Sequence, residues 1–427
     1  MPSYGISRSL ALPELLIRSA SFGTTRTRFC LCRVLVTGLR FSSRKERAGK
    51  RLSKVKNRAC LFEVQDRLCY NEKVSERGGD RMTITAQEIL AQRLYHQALL
   101  ESKLTGTEVL AKSLGIQSQY VTHGIYNYFN RLANPKADSY ADLTEHGILA
   151  WGQRGTYHFY DRPTWEGLSL ILSETVSWPW NHLAEQGVDV AAQLERLAGY
   201  LADGPLSRDA LKTLYGQDQW RQLFRWGGLF LAASRQGQLY QTLGQGDRLV
   251  HWQLAPDTQD LLGLKRQLLG TYFSFYGPAT LGDAAHFFGV PQAFFSQVDL
   301  SAWPSCRYGK QTFYYKSWQE AAKLPTVLVL GKFDALLVSY KSKDILVEKD
   351  RHHTIWQKAG QIPALILIRG QVKGQWNLRQ QGDQVTFQVT SAQPLAKAHQ
   401  ASIRARFKAF ARWWGKQVKA IDFVVQA

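Results

Sequence analysis

Between Leu114 and Leu132 the chain reads LGIQSQYVTHGIYNYFNRL, which sets two amides two residues apart, at Gln117 and Gln119. A primary amide neither takes nor gives a proton at neutral pH; it offers a carbonyl acceptor and two N–H donors. Such a pair cannot serve a reaction that needs a general acid or a strong base. It suits one whose leaving group already carries positive charge. There, the remaining work is to hold a water and to face a developing cation with carbonyl dipoles. Residues for other chemistries are missing. The sequence has no P-loop, no GxGxxG and no HExxH. His352-His353 lacks a third ligand at metal spacing, so neither a metal nor a cofactor is expected.

The elements that must position the amides follow from local pattern. From Thr83 to Leu104, Ile89, Leu90, Leu94, Leu99 and Leu100 recur at helical spacing, which predicts one amphipathic helix. Thr107 is expected to cap a short helix through Leu114, ended by Gly115, so the glutamines fall on a turn or on the first turn of the next element. Another helix is expected after Asn134-Pro135. Leu149, Trp151 and Arg154–Tyr160 then read as two short strands around Gly152, closed by a turn at Arg162-Pro163-Thr164. Three helices and a hairpin is the order of a winged helix.

The pattern recurs. GPLSRDALKTLYG (204–216) and GPATLGDAAHFFG (277–289) share Gly-Pro at the start, a Ser/Thr cap at the fourth position, apolar residues at the eighth and eleventh, and a closing glycine. After the first, GLFLAASRQGQLYQTL reads as two alternating runs joined at Gln236-Gly237, a wing; after the second come a helix and FYYKSW. One such unit is no more than a helical hairpin, but three in a row are an internal repeat. From Pro325 the chain turns β-rich (TVLVLGKFDALLVSY, ALILIRGQVKGQWNL, QVTFQV), with turns at Arg369-Gly370 and Gly382-Asp383. A basic helix, SIRARFKAFARWWGKQVKAIDF, is expected to pack its aromatics on that sheet. The expected fold is therefore α+β, with three tandem winged-helix units (82–190, 191–260 and 261–324) and a C-terminal β-rich domain (325–427).

The chain has 427 residues, and its formal net charge of +20 asks for a polyanionic partner, nucleic acid before an acidic membrane surface. No apolar run approaches the roughly 20 residues that span a bilayer. Residues 1–81 hold 18 Lys/Arg against 7 Asp/Glu, which leaves 36 against 27 for the rest. The same leader holds Cys30, Cys32, Cys60 and Cys69, leaving only Cys306 downstream. Its Arg- and Ser-rich start is also what a transit peptide looks like. The reading adopted is a start at Met82, with a leader that is a mis-assigned start and disordered. A reducing, cytoplasmic setting then fits the single cysteine.

QSQ after a short helix, RGTYHFY, GPLSRDAL with its wing, YGPATLGDAA, FDALLVSYKSKDILV and RGQVKGQWNL occur in the order that resembles the AlkZ-like proteins, bacterial winged-helix DNA glycosylases. The resemblance spans about residues 85–390. It implies a concave basic surface for double-stranded DNA, bound mainly through its phosphates by a monomer. It also implies a catalytic Gln-x-Gln motif, here Gln117 and Gln119 around Ser118. Where the family carries Ser-His and then Asp-Arg, this chain has Ser339-Tyr340 and Ser342-Lys343. The implied activity is monofunctional hydrolysis of the glycosidic bond of cationic alkylated bases of the N7-alkylguanine type, bulky or crosslinked adducts included. Gln119 would orient the water and Gln117 support it, or the reverse. Arg154 either reaches a phosphate or braces its hairpin, and His158 is a packed strand residue or a DNA contact. Lys341 and Lys343 lie on a solvated loop or on the DNA backbone. The competing reading is a non-catalytic winged-helix DNA-binding or transcription-regulating protein.

Overall fold

The computed structural model describes residues 84–135, 138–175, 178–243, 248–357 and 360–426. The expectations for the leader, residues 1–81, lie outside these. The first helix, α1 (Ala86–His96), starts at Thr85, whose hydroxyl and backbone exchange hydrogen bonds with Glu88 in a capping box. It stops well short of Leu104, because Ala98 takes a left-handed conformation (φ 56°). α2 (Gly106–Ser113) is capped by Thr105, not by Thr107. Glu108 stands three residues after Thr105 and closes a second capping box, a partner that Thr107 lacks. Leu114 and Gly115 are both left-handed (φ 52° and 93°), and they turn the chain into β1 (Ile116–Gln117).

Next come α3 (Val121–Phe129), α4 (Asp138–His146), and the hairpin β2 (Ile148–Trp151) and β3 (Tyr157–Tyr160). The expected turn at Arg162-Pro163-Thr164 is instead the first turn of α5 (Arg162–Ser173), capped by Asp161 with proline where no N–H is needed. Then follow α6 (Trp178–Glu185), α7 (Val190–Tyr200), β4 (Leu206–Ser207), α8 (Arg208–Tyr215) and α9 (Gln217–Phe224). The segment expected to be the first strand of a wing is a helix, α10 (Gly228–Arg235). Its residues from Gly228 to Ser234 are all buried, so the run is apolar on every side and period alone could not separate strand from helix. The hairpin itself is β5 (Leu239–Leu243) and β6 (Arg248–Trp252).

The two segments that begin with Gly-Pro share their caps. Ser207 caps α8 and Thr280 caps α12 (Leu281–Phe288), which follows α11 (Leu261–Tyr276). The closing glycines 216 and 289 are both left-handed (φ 74° and 71°), as a helix end needs. A small hairpin, β7 (Ser305–Tyr308) and β8 (Gln311–Tyr314), completes this part. The hairpins expected of the first two units join in one six-stranded sheet of order β1-β3-β2-β5-β6-β4, through Leu149 opposite Gln241.

The C-terminal part has a sheet of order β13-β12-β11-β10-β9, with β9 (Val327–Leu330), β10 (Ala364–Ile368), β11 (Gln371–Gln381) and β12 (Gln384–Ser391) antiparallel. A short helix α13 (Ala335–Val338) leaves β9, and α14 (Lys397–Trp413) covers the sheet with Phe407, Phe410 and Trp413 buried. Of the basic residues expected on its solvated face, Arg404, Lys408 and Arg412 are exposed, whereas Arg406 is half-buried and donates to Asn130 Oδ1. The helix ends before Gly415 (φ 71°) rather than running to Phe423, and Gln417–Val425 forms β13, parallel to β12. Among the described residues no helix is long and apolar enough to cross a membrane.

What positions the amides is α3. Tyr126 Oη and Asn130 Nδ2 donate to the Val329 carbonyl, and Asn127 bridges Gly331 N and the Lys332 carbonyl. The helix that follows the glutamines is therefore fastened to the β9 edge of the C-terminal sheet.

Candidate active site

Gln117 lies on β1 opposite His158 of β3, and Gln119 is in the turn before α3. Between them Ser118 is fully buried, its N–H donating to the Tyr157 carbonyl (2.6 Å) and its hydroxyl to that of Ile116 (2.7 Å). Alternate residues of extended chain share a face, so burying Ser118 sends both amides the other way. Gly124 permits this: a Cβ there would sit 2.2 Å from Ser118 Oγ. Gly124→Ala is expected to push the serine and lower stability by about 1–3 kcal/mol, with urea denaturation as the check.

Arg154 occupies the turn between β2 and β3 in a left-handed conformation (φ 59°). Its Nη2 donates to Gln117 Oε1 (2.7 Å) and its Nη1 to the Phe287 carbonyl (2.6 Å). Gln117 Nε2 in turn donates to Gln119 Oε1 at 2.5 Å. A guanidinium has donors only, so it fixes which end of the Gln117 amide faces it, and thereby which end faces Gln119. Gln117 is 7% exposed, whereas Gln119 is open to solvent. The chain of three side chains leaves the second lone pair of the Gln119 carbonyl as the outward acceptor.

Gln153, which sequence reading passed over, holds the turn. It donates to the Leu114 carbonyl (2.8 Å) and accepts from Tyr160 Oη (2.5 Å), while Tyr276 Oη donates to the Ser113 carbonyl. Gly289 brings α12 against Arg154, where a Cβ would meet the arginine backbone at 2.7 Å. No local signal marks Gln153: Leu114 lies 39 residues away, and Tyr160 meets it only once the β2–β3 hairpin has formed. Tyr120, next to Gln119, stacks on Phe333 (5.9 Å), carries the Lys332 ammonium over its face (4.6 Å) and donates to Gln361 Oε1.

The other expected site residues separate by exposure. His158 is 1% exposed, and its Nδ1 faces the Thr156 carbonyl at 2.9 Å, so it is packed beneath Gln117 with its open nitrogen as an acceptor. Lys341 is exposed on the loop after α13. Lys343 is half-buried and donates to the Leu337 and Tyr340 carbonyls at the end of α13. Burial first, then the Arg154 charge, pulls its pKa down to about 8.

Burial likewise holds His123 and His158 near a pKa of about 3, with Lys332 and Arg154 adding to it. Both rings are neutral at pH 7. Between the unfolded value of 6.5 and about 3 the unfolded chain binds protons that the folded one refuses, so stability falls as pH drops below 6.5. Each ring contributes up to about 1.4 kcal/mol per pH unit in that window. Tm measured from pH 7 to pH 4 should fall, and His123→Phe should make the fall shallower. Among the described residues no group of His, Cys, Asp and Glu could hold a metal ion.

A family model described as DNA glycosylase AlkZ-like matches residues 110–413. No curated protein matches the chain. Among solved structures, the DNA glycosylase AlkZ of Streptomyces sahachiroi is similar in fold, with a TM-score of 0.62 at 18% identity, covering 79% of this chain and all of that one.

Proposed function

Because the chain belongs to the AlkZ-like DNA glycosylase family, we propose that it is a monofunctional repair enzyme. In this reading it hydrolyses the glycosidic bond of cationic, N7-alkylated purines in double-stranded DNA, bulky or crosslinked adducts included. The observation that carries the reading is the chain Arg154–Gln117–Gln119, which turns one uncharged carbonyl outward. When the C1′–N9 bond of N7-alkylguanine breaks, its electron pair enters the base and cancels the positive charge, so no acid is needed. The sugar becomes an oxocarbenium ion, water adds at C1′, and the surplus proton leaves to solvent. Gln119 Oε1 would accept from that water and face the cation; Gln117 would hold Gln119, and Arg154 would hold Gln117. Gln117 and Gln119 are the catalytic pair of this reading, and Arg154 is a positioning residue rather than a phosphate contact.

A neutral base lacks this built-in leaving group, and among the described residues no acid is hydrogen-bonded to the amides, so selectivity for cationic lesions follows. Lys341, exposed, is the residue of the predicted set best placed for a DNA phosphate; Lys343 would act through the loop it braces and His158 through β1. The three capped helix-and-hairpin units are read as tandem winged helices. A sequence-reading regulator would need an exposed polar helix in the major groove. Against that, α10 is buried and α4 exposes Asp142 and Glu145, which phosphates repel; α9, which does expose Gln217, Gln219 and Arg221, exposes Asp218 beside them.

The test is incubation of the full chain with a duplex bearing one N7-methylguanine, reading abasic sites by alkaline cleavage. Release by the native protein and loss of at least a hundredfold in a Gln117→Ala/Gln119→Ala variant are expected. Equal release by both would sink the mechanism.

A further inference from the structure

Beside this site is a second feature that the glycosylase chemistry does not use. Trp226 is 72% exposed and Trp178 52% exposed, and both line a cleft of about 570 Å³ together with His182, Arg221 and Arg225. Trp226 is left-handed (φ 57°), a conformation that a bulky residue adopts only when the surroundings impose it. The surroundings do. Gly227 and Gly228 follow with φ 90° and 32°; a Cβ on Gly228 would collide with the Leu223 carbonyl at 2.0 Å, and one on Gly227 would press on the Trp151 indole at 3.1 Å. Those contacts define the turn, and Leu229 and Phe230 fill the core behind it. Nothing in the packing requires an indole at position 226, yet a large apolar ring is held in water there.

The chemistry around the ring selects its partner. The Arg225 guanidinium lies 5.7 Å from the Trp226 ring, and Arg221 lies beside it on the cleft wall. Asp218, 3.9 Å from Arg221, is the one carboxylate of the wall and is itself open to water. Two aromatic faces with two arginines suit a nucleobase and its flanking phosphates. The cleft also adjoins the catalytic turn: the Trp178 indole packs on Gly155, next to Arg154, and Trp226 leads into the glycine that packs on β2.

We propose that this cleft is a stacking site for an unpaired nucleobase of the bound DNA, with Trp226 as its shelf and Arg221 and Arg225 on the adjoining phosphates. It rests on the assignment to a DNA glycosylase family. An enzyme whose catalytic turn sits beside such a shelf would trap a base freed when the lesion disturbs the stack.

The test compares equilibrium binding of the full chain, by fluorescence anisotropy, to a matched duplex and to the same duplex with one extrahelical base. The native protein should prefer the bulged duplex about tenfold, Trp226→Ala should bring the ratio to within about twofold, and Trp226→Phe should keep most of it. Thermal melts of each variant check folding. An unchanged ratio in Trp226→Ala, equal weakening on both duplexes, or no preference by the native protein would overturn the proposal. No base release enters this measurement, so a protein inactive on N7-methylguanine would count against the proposed reaction and leave the shelf standing.

Discussion

Gln119→Ala should lower the single-turnover rate of N7-methylguanine release about a hundredfold while duplex affinity stays within about twofold. A group that meets only the transition state is read in the rate and not in binding. Arg154→Met should lower the rate roughly tenfold in the native background, because the amide of Gln117 is then free to flip and to release Gln119. In a Gln117→Ala background the same arginine change should have little further effect, since the group it orients is gone. This non-additivity is what separates positioning from bulk packing, whose losses would add. A phosphate role for Arg154 would show differently, as weaker binding with a shallower salt dependence. If Arg154→Met lowers the rate equally with and without Gln117, the chain of amides is not the route by which it acts.

Asp334→Ala should destabilise the folded protein by about 3–5 kcal/mol, the largest effect expected of any single substitution considered. Both Asp334 oxygens accept from Arg131, at 2.8 and 2.9 Å, with both side chains out of water. Asp334 also caps α13 through Leu336 N, and Arg131 reaches the Asn127 carbonyl and Gln97. Removing the carboxylate strands a buried guanidinium whose Nε already lacks a partner. Replacing both partners with apolar residues should recover much of the loss, because no charge is then left unpaired. Urea denaturation of the two variants decides it: a single variant within about 1 kcal/mol of the native protein would contradict the pair's role. The same pair ties the end of α3 to the segment bearing Phe333, so weakening it should also loosen Tyr120 and, with it, Gln119.

What could be read in the one-dimensional chain was whatever a few neighbouring residues decide among themselves. The caps at Ser207 and Thr280, the left-handed glycines that close their helices, and the strand alternation of Gln384–Ser391 are short-range physics, and each is in place. The amide pair was legible too, because two acceptors two residues apart suggest a chemistry wherever they lie. Near misses have local causes: Thr105, unlike Thr107, has an acid three residues on that completes a capping box, and α10 is a run too short and too evenly apolar for period to classify.

Tertiary structure alone decided the rest. The arginine that orients Gln117 comes from 37 residues away, and Gln153 earns its place only through Leu114 and Tyr160. Ser118 points inward because Gly124 leaves it room, which sends both amides to the opposite face, Gln117 against Arg154 and Gln119 into solvent. A side chain's type states which bonds it can make. Which of them it does make depends on what long-range packing brings within three ångströms, and no window of neighbouring residues contains that information.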